Sequence, residues 1–151
     1  MRTRHFVIFF LVAAGTFIID QAIKSIFLNG YDHEGKCIDL QLHFNRGVAF
    51  SMFEFLGDYL KWIQSFLIAG ISYVVIKEGY IKHYAFPLGL LVGGALGNVY
   101  DRFVHDAVVD YVAWHCGFKF AVFNYADVAI DLAVAWIIIQ HYFFPQDKNT
   151  Q

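Results

Sequence analysis

Long apolar runs separated by short polar stretches dominate this chain. A helix needs about 20 apolar residues to cross a bilayer, and four runs approach that length. They are Phe6 to Leu28, Tyr59 to Ile76, Tyr84 to Val104 and Ala126 to Phe144. The pattern predicts a mainly α, integral membrane protein with four transmembrane helices, folded as one domain over residues 1–151. The polar interruptions avoid the middle of the runs. Asp20, Gln21 and Lys24 fall near the end of the first, Asn98 near the end of the third, and Asp127 and Asp131 near the start of the fourth.

The first run has a competing reading. Arg2 and Arg4 followed by Phe6 to Ile19 look like a cleavable signal peptide. No small-x-small site follows, and the helical pattern continues past Asp20 to Leu28, so the run reads as a retained span. Four spans leave both termini on one side. That side holds Arg2, Arg4, Lys77, Lys82 and Lys148, and the other holds Lys36, Arg46, Lys61, Arg102 and Lys119. The totals tie. The first set is packed into far fewer residues close to helix ends, which places both termini in the cytoplasm.

Two segments then lie outside. In Asn29 to Asp58, the stretch Cys37 to Phe44 alternates as a short strand does. An isolated hairpin is marginal in water, so this short strand is expected on the membrane surface. The segment His105 to Tyr125 carries Tyr111, Trp114, Phe118, Phe120, Phe123 and Tyr125. Aromatic rings favour the headgroup level, so it reads as an interfacial loop. Tyr111 and Trp114, with Phe50 from the other segment, would seat acyl chains or anchor the interface, and anchoring is the expectation for Trp114.

Composition adds limits. The chain is 58% hydrophobic and 19% aromatic with a net charge of −2, so no basic face points to nucleic acid. Cys37 and Cys116 are too few for a disulfide framework. Both fall in outside segments where a bridge is chemically allowed, but two unpaired thiols are the default expectation.

The ionisable residues carry the functional signal. Asp20, Lys24, Asp101, Arg102, Asp110, Asp127 and Asp131 all converge on the external half of the membrane. An ionisable group inside a span costs a few kcal/mol or more and usually faces a polar cavity. Asp20 and Lys24, four apart, read first as an ion pair. Asp101 and Arg102 are adjacent, cannot face each other, and are expected to pair with Lys24 and the acids. Asp131 either supports the site or packs near the Gln140 face of its helix. The seven histidines are scattered and no His-Glu-x-x-His occurs, so no metal is expected. There is no Gly-x-Ser-x-Gly elbow, and Ser25 beside Lys24 points about 100° away from it. The run Gly93 to Gly97 reads as small residues for close helix packing. What remains is carboxylate chemistry, in which two aspartates share a proton and hydrolyse a peptide by acid–base catalysis. Spacing alone does not choose the pair. A small ion carrier and a purely structural polar cluster remain alternatives; the first is disfavoured by the absence of an inverted repeat.

Five stretches, in order, carry a resemblance. They are Asp20-Gln21-Ala22-Ile23-Lys24, Asn45-Arg46-Gly47-Val48-Ala49-Phe50, Gly93 to Arg102, Val108-Val109-Asp110-Tyr111 and Phe123 to Ile130. Over nearly its whole length the chain resembles bacterial lipoprotein signal peptidase, or signal peptidase II. Tyr111 stands where that family commonly has Phe. The resemblance implies an aspartic intramembrane endopeptidase that removes the signal peptide from prolipoproteins, cutting just before a diacylglyceryl-modified cysteine. It implies Asp110 and Asp127 as the catalytic pair. Asp20, Lys24, Asn45, Gly47, Asn98, Asp101, Arg102, Asn124 and Ala126 would bind substrate or brace the site. Asn45 and Asn124 would bond either an extended substrate backbone or their own loops. The resemblance also implies an outer sheet between the first two spans and a loop before span four that lies over the site. The expected setting is the bacterial cytoplasmic (inner) membrane, with the site near the external face. The expected partners are the lipidated substrate and membrane lipid, with a monomeric enzyme and no cofactor.

Overall fold

In the computed structural model, which describes residues 2–47 and 53–143, four helices and two strands follow one another. The order is α1 (Arg2–Leu28), β1 (Ile38–Asn45), α2 (Tyr59–Lys77), α3 (Ile81–His105), β2 (Val108–Trp114) and α4 (Tyr125–Phe143), with a short 3-10 turn at Glu54–Leu56. Phe50, Phe144 and Lys148 lie outside the described residues, as do Val48 and Ala49 of the second motif.

The helices form where the apolar runs predict them. Three are long and apolar enough to cross a membrane: Thr3–Leu28, Tyr59–Lys77 and Tyr125–Phe143. Their outward faces carry exposed Phe10, Leu11, Phe66, Leu67 and Ile139, as lipid contact requires. α3 reaches spanning length at 25 residues but falls outside that apolar class. It is the central helix, packed on α1 most extensively, then on α4 and less on α2. A helix flanked by others does not need an apolar surface all round.

One stripe of α1 explains its packing. Phe9, Ala13, Thr16, Asp20, Lys24 and Phe27 are all buried, and they recur at intervals of three or four residues, the period of one helix face. On α3 the small residues let backbones approach. A Cβ at Gly93 would meet the Ala13 carbonyl oxygen at 2.5 Å, and one at Gly94 would meet that of Ala126 at 2.8 Å. α4 answers with buried Ala126, Ala129 and Ala133. The small-residue run is therefore a two-sided packing seam, as its composition predicts.

α3 begins earlier than the apolar run, at Ile81, and is kinked at Tyr84. Pro87 removes a backbone donor and crowds the carbonyl four residues back, that of His83. Gln140 Nε2 of α4 donates to that carbonyl at 3.0 Å, so the kink leaves it satisfied. Gln140 thus works at the opposite end of α4 from Asp131.

The sheet corrects two expectations. β1 lies between the first two helices, but its antiparallel partner β2 comes from the segment between α3 and α4. The supposed aromatic loop is thus partly a strand, with Val108, Val109, Asp110 and Tyr111 buried. The register pairs Ile38 with Trp114 and Asn45 with Val108, with an irregularity between Leu40 and His43. Cys37 and Cys116 are not free thiols; they form a disulfide at the far end of this ladder. The ladder brings them together from a separation of 79 residues, which no local pattern in the chain encodes.

Candidate active site

The polar residues at one end of the bundle sort into two connected groups. In the first, Lys24 Nζ lies 2.7 Å from Asp20 Oδ2 and 2.7 Å from Asp101 Oδ2. All three side chains are buried. The i,i+4 pair is therefore present, and Asp101 meets Lys24 as its position predicts. Gln21 Nε2 adds hydrogen bonds to Asp20 at 3.1 Å and to Asp101 at 2.9 Å.

Both carboxylates of this group also hold backbone. Asp20 Oδ1 accepts from the Ala126 N–H at 3.1 Å, at the start of α4. Asp101 Oδ2 accepts from the Val109 N–H at 3.1 Å, at the start of β2. Ala126 is fully buried, and its neighbours explain why it is small: its carbonyl abuts Gly94. Gly97 is needed for the same reason, because a Cβ there would collide with the Asp20 carboxylate.

The second group centres on Asp110 of β2 and Asp127 of α4. Asn124 joins them. Its Nδ2 donates to Asp110 Oδ1 at 2.7 Å, and its backbone N–H donates to Asp127 Oδ2 at 3.1 Å. Its Oδ1 in turn accepts from the Asp127 N–H at 2.9 Å. Asn124 and Asp127 thus form a reciprocal cap on the first turn of α4. The other carboxylate oxygens meet amides too. Asn45 Nδ2 reaches Asp110 Oδ2 at 3.0 Å across the sheet, and Asn98 Nδ2 reaches Asp127 Oδ1 at 2.8 Å. Asn45 and Asn124 therefore hold carboxylates as well as loop atoms.

The amide orientations are fixed by their other partners. Asn98 Oδ1 accepts from Lys24 Nζ at 3.1 Å and from Asn124 Nδ2 at 3.0 Å. Asn45 Oδ1 accepts from the Gly47 N–H at 3.0 Å. Arg102 departs from expectation: its guanidinium donates to the carbonyls of Gly47 and Asn98, not to an acid. It pins the β1 exit against α3.

Asp110 is 2% exposed. Burial pushes its carboxyl up to about 6, the Asn45 hydrogen bond opposes this, and the Asp127 charge adds to it. Tyr111, beside it, is buried. Its ring stacks on Phe27 at 4.2 Å and its hydroxyl accepts from the Tyr125 N–H at 2.9 Å. Trp114 Nε1 donates to the Cys116 carbonyl at 3.1 Å.

Asp110 and Asp127 line one cavity of about 330 Å³, with Asn45, Asn98 and Arg102 on its walls. Phe120 and Phe123, from the segment before α4, close one side. A larger cavity of about 760 Å³ lies at the opposite end, beside the α3 kink, but it contains no carboxylate. Of these two cavities, the smaller is the one lined by carboxylates. The cavity lining includes Asp131, one turn along α4 from Asp127, which agrees with the first of its two expected placements, and Gln64 of α2, which had no role in the sequence reading. A polar residue within an apolar span was the available signal for Gln64. Among the described residues no group of three or more His, Cys, Asp or Glu could hold a metal ion.

Comparison with known proteins gives the family. The family model described as Signal peptidase (SPase) II matches residues 12–143. A lipoprotein signal peptidase of Sulfurovum sp. (strain NBC37-1) is 72% identical over 142 residues, covering 94% of this chain and 97% of the relative. One from Sulfurimonas denitrificans is 54% identical over 139 residues, covering 92% and 90%. A solved bacterial membrane enzyme, determined by the in meso method at 2.3 Å, superposes with a TM-score of 0.77 at 26% identity, covering 93% of this chain and 91% of its own. The chain belongs to the signal peptidase II family and is a multi-pass membrane peptidase.

Proposed function

For this member of the signal peptidase II family, we propose that Asp110 and Asp127 are the catalytic pair of an aspartic intramembrane endopeptidase. The observation that carries the reading is their joint attachment to Asn124 on the wall of one cavity. Every oxygen of the pair accepts from an amide N–H, and among the described residues none forms an ion pair. Two carboxylates so placed share one proton, because both cannot ionise cheaply together. The ionised member takes a proton from water, and that water attacks the scissile carbonyl carbon. The protonated member donates to the carbonyl oxygen, giving a tetrahedral diol. Collapse breaks the C–N bond as a carboxyl proton passes to the leaving nitrogen.

The substrate in this reading is a prolipoprotein whose cysteine already carries a diacylglyceryl group, and the cut falls just before that cysteine. The names of the relatives support the class, and a cavity at one end of the bundle suits a bond at the bilayer edge. The enzyme sits in the bacterial cytoplasmic (inner) membrane with both termini in the cytoplasm and the cavity near the external face. It acts as a monomer on this substrate within membrane lipid.

The test uses purified Asp110→Asn and Asp127→Asn in detergent or nanodiscs with lipidated precursor. Each is expected to lose about 10³-fold or more in kcat/KM, with the helical fold intact by circular dichroism. Cleavage at near wild-type rate in either variant removes that residue from the chemistry. Precursor lacking the diacylglyceryl group is expected to be cut poorly; equal cutting removes the lipid from recognition.

A further inference from the structure

Two polar side chains line the cavity without serving the aspartate pair. Asp131 lies on α4 one turn from Asp127 and is exposed within the lining. Gln64 enters from α2, and its Oε1 is buried without a hydrogen-bond partner. Most of the residues around them on their helices are apolar, Trp62, Ile63 and Phe66 on α2 and Ile130 and Leu132 on α4, and the Ser65 hydroxyl is spent on the Lys61 carbonyl. An acceptor in such a setting costs stability unless a donor arrives from elsewhere. Neither residue is engaged by the four amide N–H groups that hold the pair.

A peptide substrate supplies donors. A signal sequence crosses the bilayer as a helix, and its scissile bond reaches the aspartates only when the local turn is opened. Opening one turn frees backbone N–H groups in a region where water cannot satisfy them. One helical turn along α4 is about 6 Å, and an extended chain covers about 3.3 Å per residue. Asp131 is therefore placed to meet the backbone about two residues from the bond at Asp127, on the side of the removed signal sequence.

We propose that Asp131 and Gln64 are positioning residues that accept hydrogen bonds from the substrate backbone N–H groups freed when the helix opens next to the cut. Their role is recognition of an extended backbone, independent of side-chain identity. The proposal rests on the aspartic-peptidase reading and on the orientation given with it.

The test pairs enzyme variants with a backbone-edited substrate. One lipidated precursor peptide carries the normal amide two residues before the cut; a second has an ester there, which replaces the N–H by oxygen. Wild type, Asp131→Leu, Asp131→Asn and Gln64→Leu are assayed on both, with Asp127→Asn as control. Asp131→Leu is expected to lower kcat/KM about tenfold on the amide substrate, the worth of one hydrogen bond. The ester substrate is expected to be cut equally slowly by wild type and Asp131→Leu. Asp131→Asn, which keeps an acceptor oxygen, restores most of the rate. Gln64→Leu is expected to lower the amide rate severalfold and to add to Asp131→Leu. An Asp131→Leu rate equal to wild type, or an equal loss on amide and ester, overturns the proposal. Failure of the parent reading shows separately, as cleavage by Asp127→Asn.

Discussion

At one end of the helix bundle, two pairs of aspartates sit on neighbouring elements and are treated in opposite ways. Asp20 and Asp101 share a single ammonium, Lys24, at 2.7 Å each. Their spare capacity goes to backbone N–H groups of Ala126 and Val109. Asp110 and Asp127 receive only amides and face a cavity. A carboxylate beside a buried cation is held in an ion pair. Asp110, held by neutral donors with burial acting against its charge, is pushed up to about 6. The first pair also aims the second, because Ala126 precedes Asp127 and Val109 precedes Asp110. On the proposed reading, braces and reactive groups are distinguished by what holds each carboxylate.

The largest expected effect separates the pairs by readout. Asp110→Asn and Asp127→Asn are expected to abolish cleavage while changing stability little, since an amide keeps the shape and removes like-charge repulsion. Lys24→Met should do the reverse first. It strands two buried carboxylates, and breaking a buried ion pair from one side costs about 3–5 kcal/mol. Equilibrium unfolding in mild detergent measures this. A Lys24→Met protein as stable as wild type would end the distinction drawn between the pairs.

Much of this was legible in the chain, for physical reasons. The helices announce themselves by length of apolar run, and the α1–α3 seam by its glycines. The strand Val108–Trp114 was not legible, because its partner lies more than sixty residues earlier and no turn joins them. The Cys37–Cys116 bridge depends on that same ladder and was hidden with it. Asp110 and Asp127 could be shortlisted as intramembrane acids, but only motif order chose them. Arg102 was misassigned because charge suggested an acid, whereas Gly47 offers a carbonyl that the chain pattern cannot reveal. Gln64 lacked any motif; only the placement of α2 across the cavity gives it a neighbourhood.

A smaller effect tests how the amides tune the reactive pair. Asn45 donates to Asp110 and so favours its ionised form. Removing that donor in Asn45→Ala raises the Asp110 value from about 6. In the proposed mechanism the pair holds one proton, so kcat/KM falls on the alkaline side as that proton leaves. The alkaline limb is therefore expected to move upward by about one pH unit, the worth of one charge-assisted hydrogen bond. Stability follows the same sign. Because the folded Asp110 binds its proton more readily than the unfolded one, this group destabilises above about pH 6, and the penalty is relieved as pH falls towards the ordinary carboxylate range. An alkaline limb unmoved by Asn45→Ala would detach Asp110 from the rate profile.

The smallest effect belongs to the boundary between the two groups. Tyr111 follows Asp110, and its hydroxyl receives the Tyr125 N–H at 2.9 Å, two residues before Asp127. Its ring lies nearly parallel to Phe27, 9° apart, so packing and polarity are separable in one side chain. Tyr111→Phe keeps the stack and removes only the acceptor. The expected cost is about 1 kcal/mol of stability, with kcat/KM changed by less than about threefold, since Asn124 still caps α4 and still holds both acids. Tyr111→Ala removes the ring as well and should cost about 3–5 kcal/mol. A Tyr111→Phe enzyme that folds normally yet loses activity as Asp127→Asn does would move the hydroxyl from the brace to the reacting group. The division by neutralising partner would then need a third class, a neutral hydroxyl acting on the substrate.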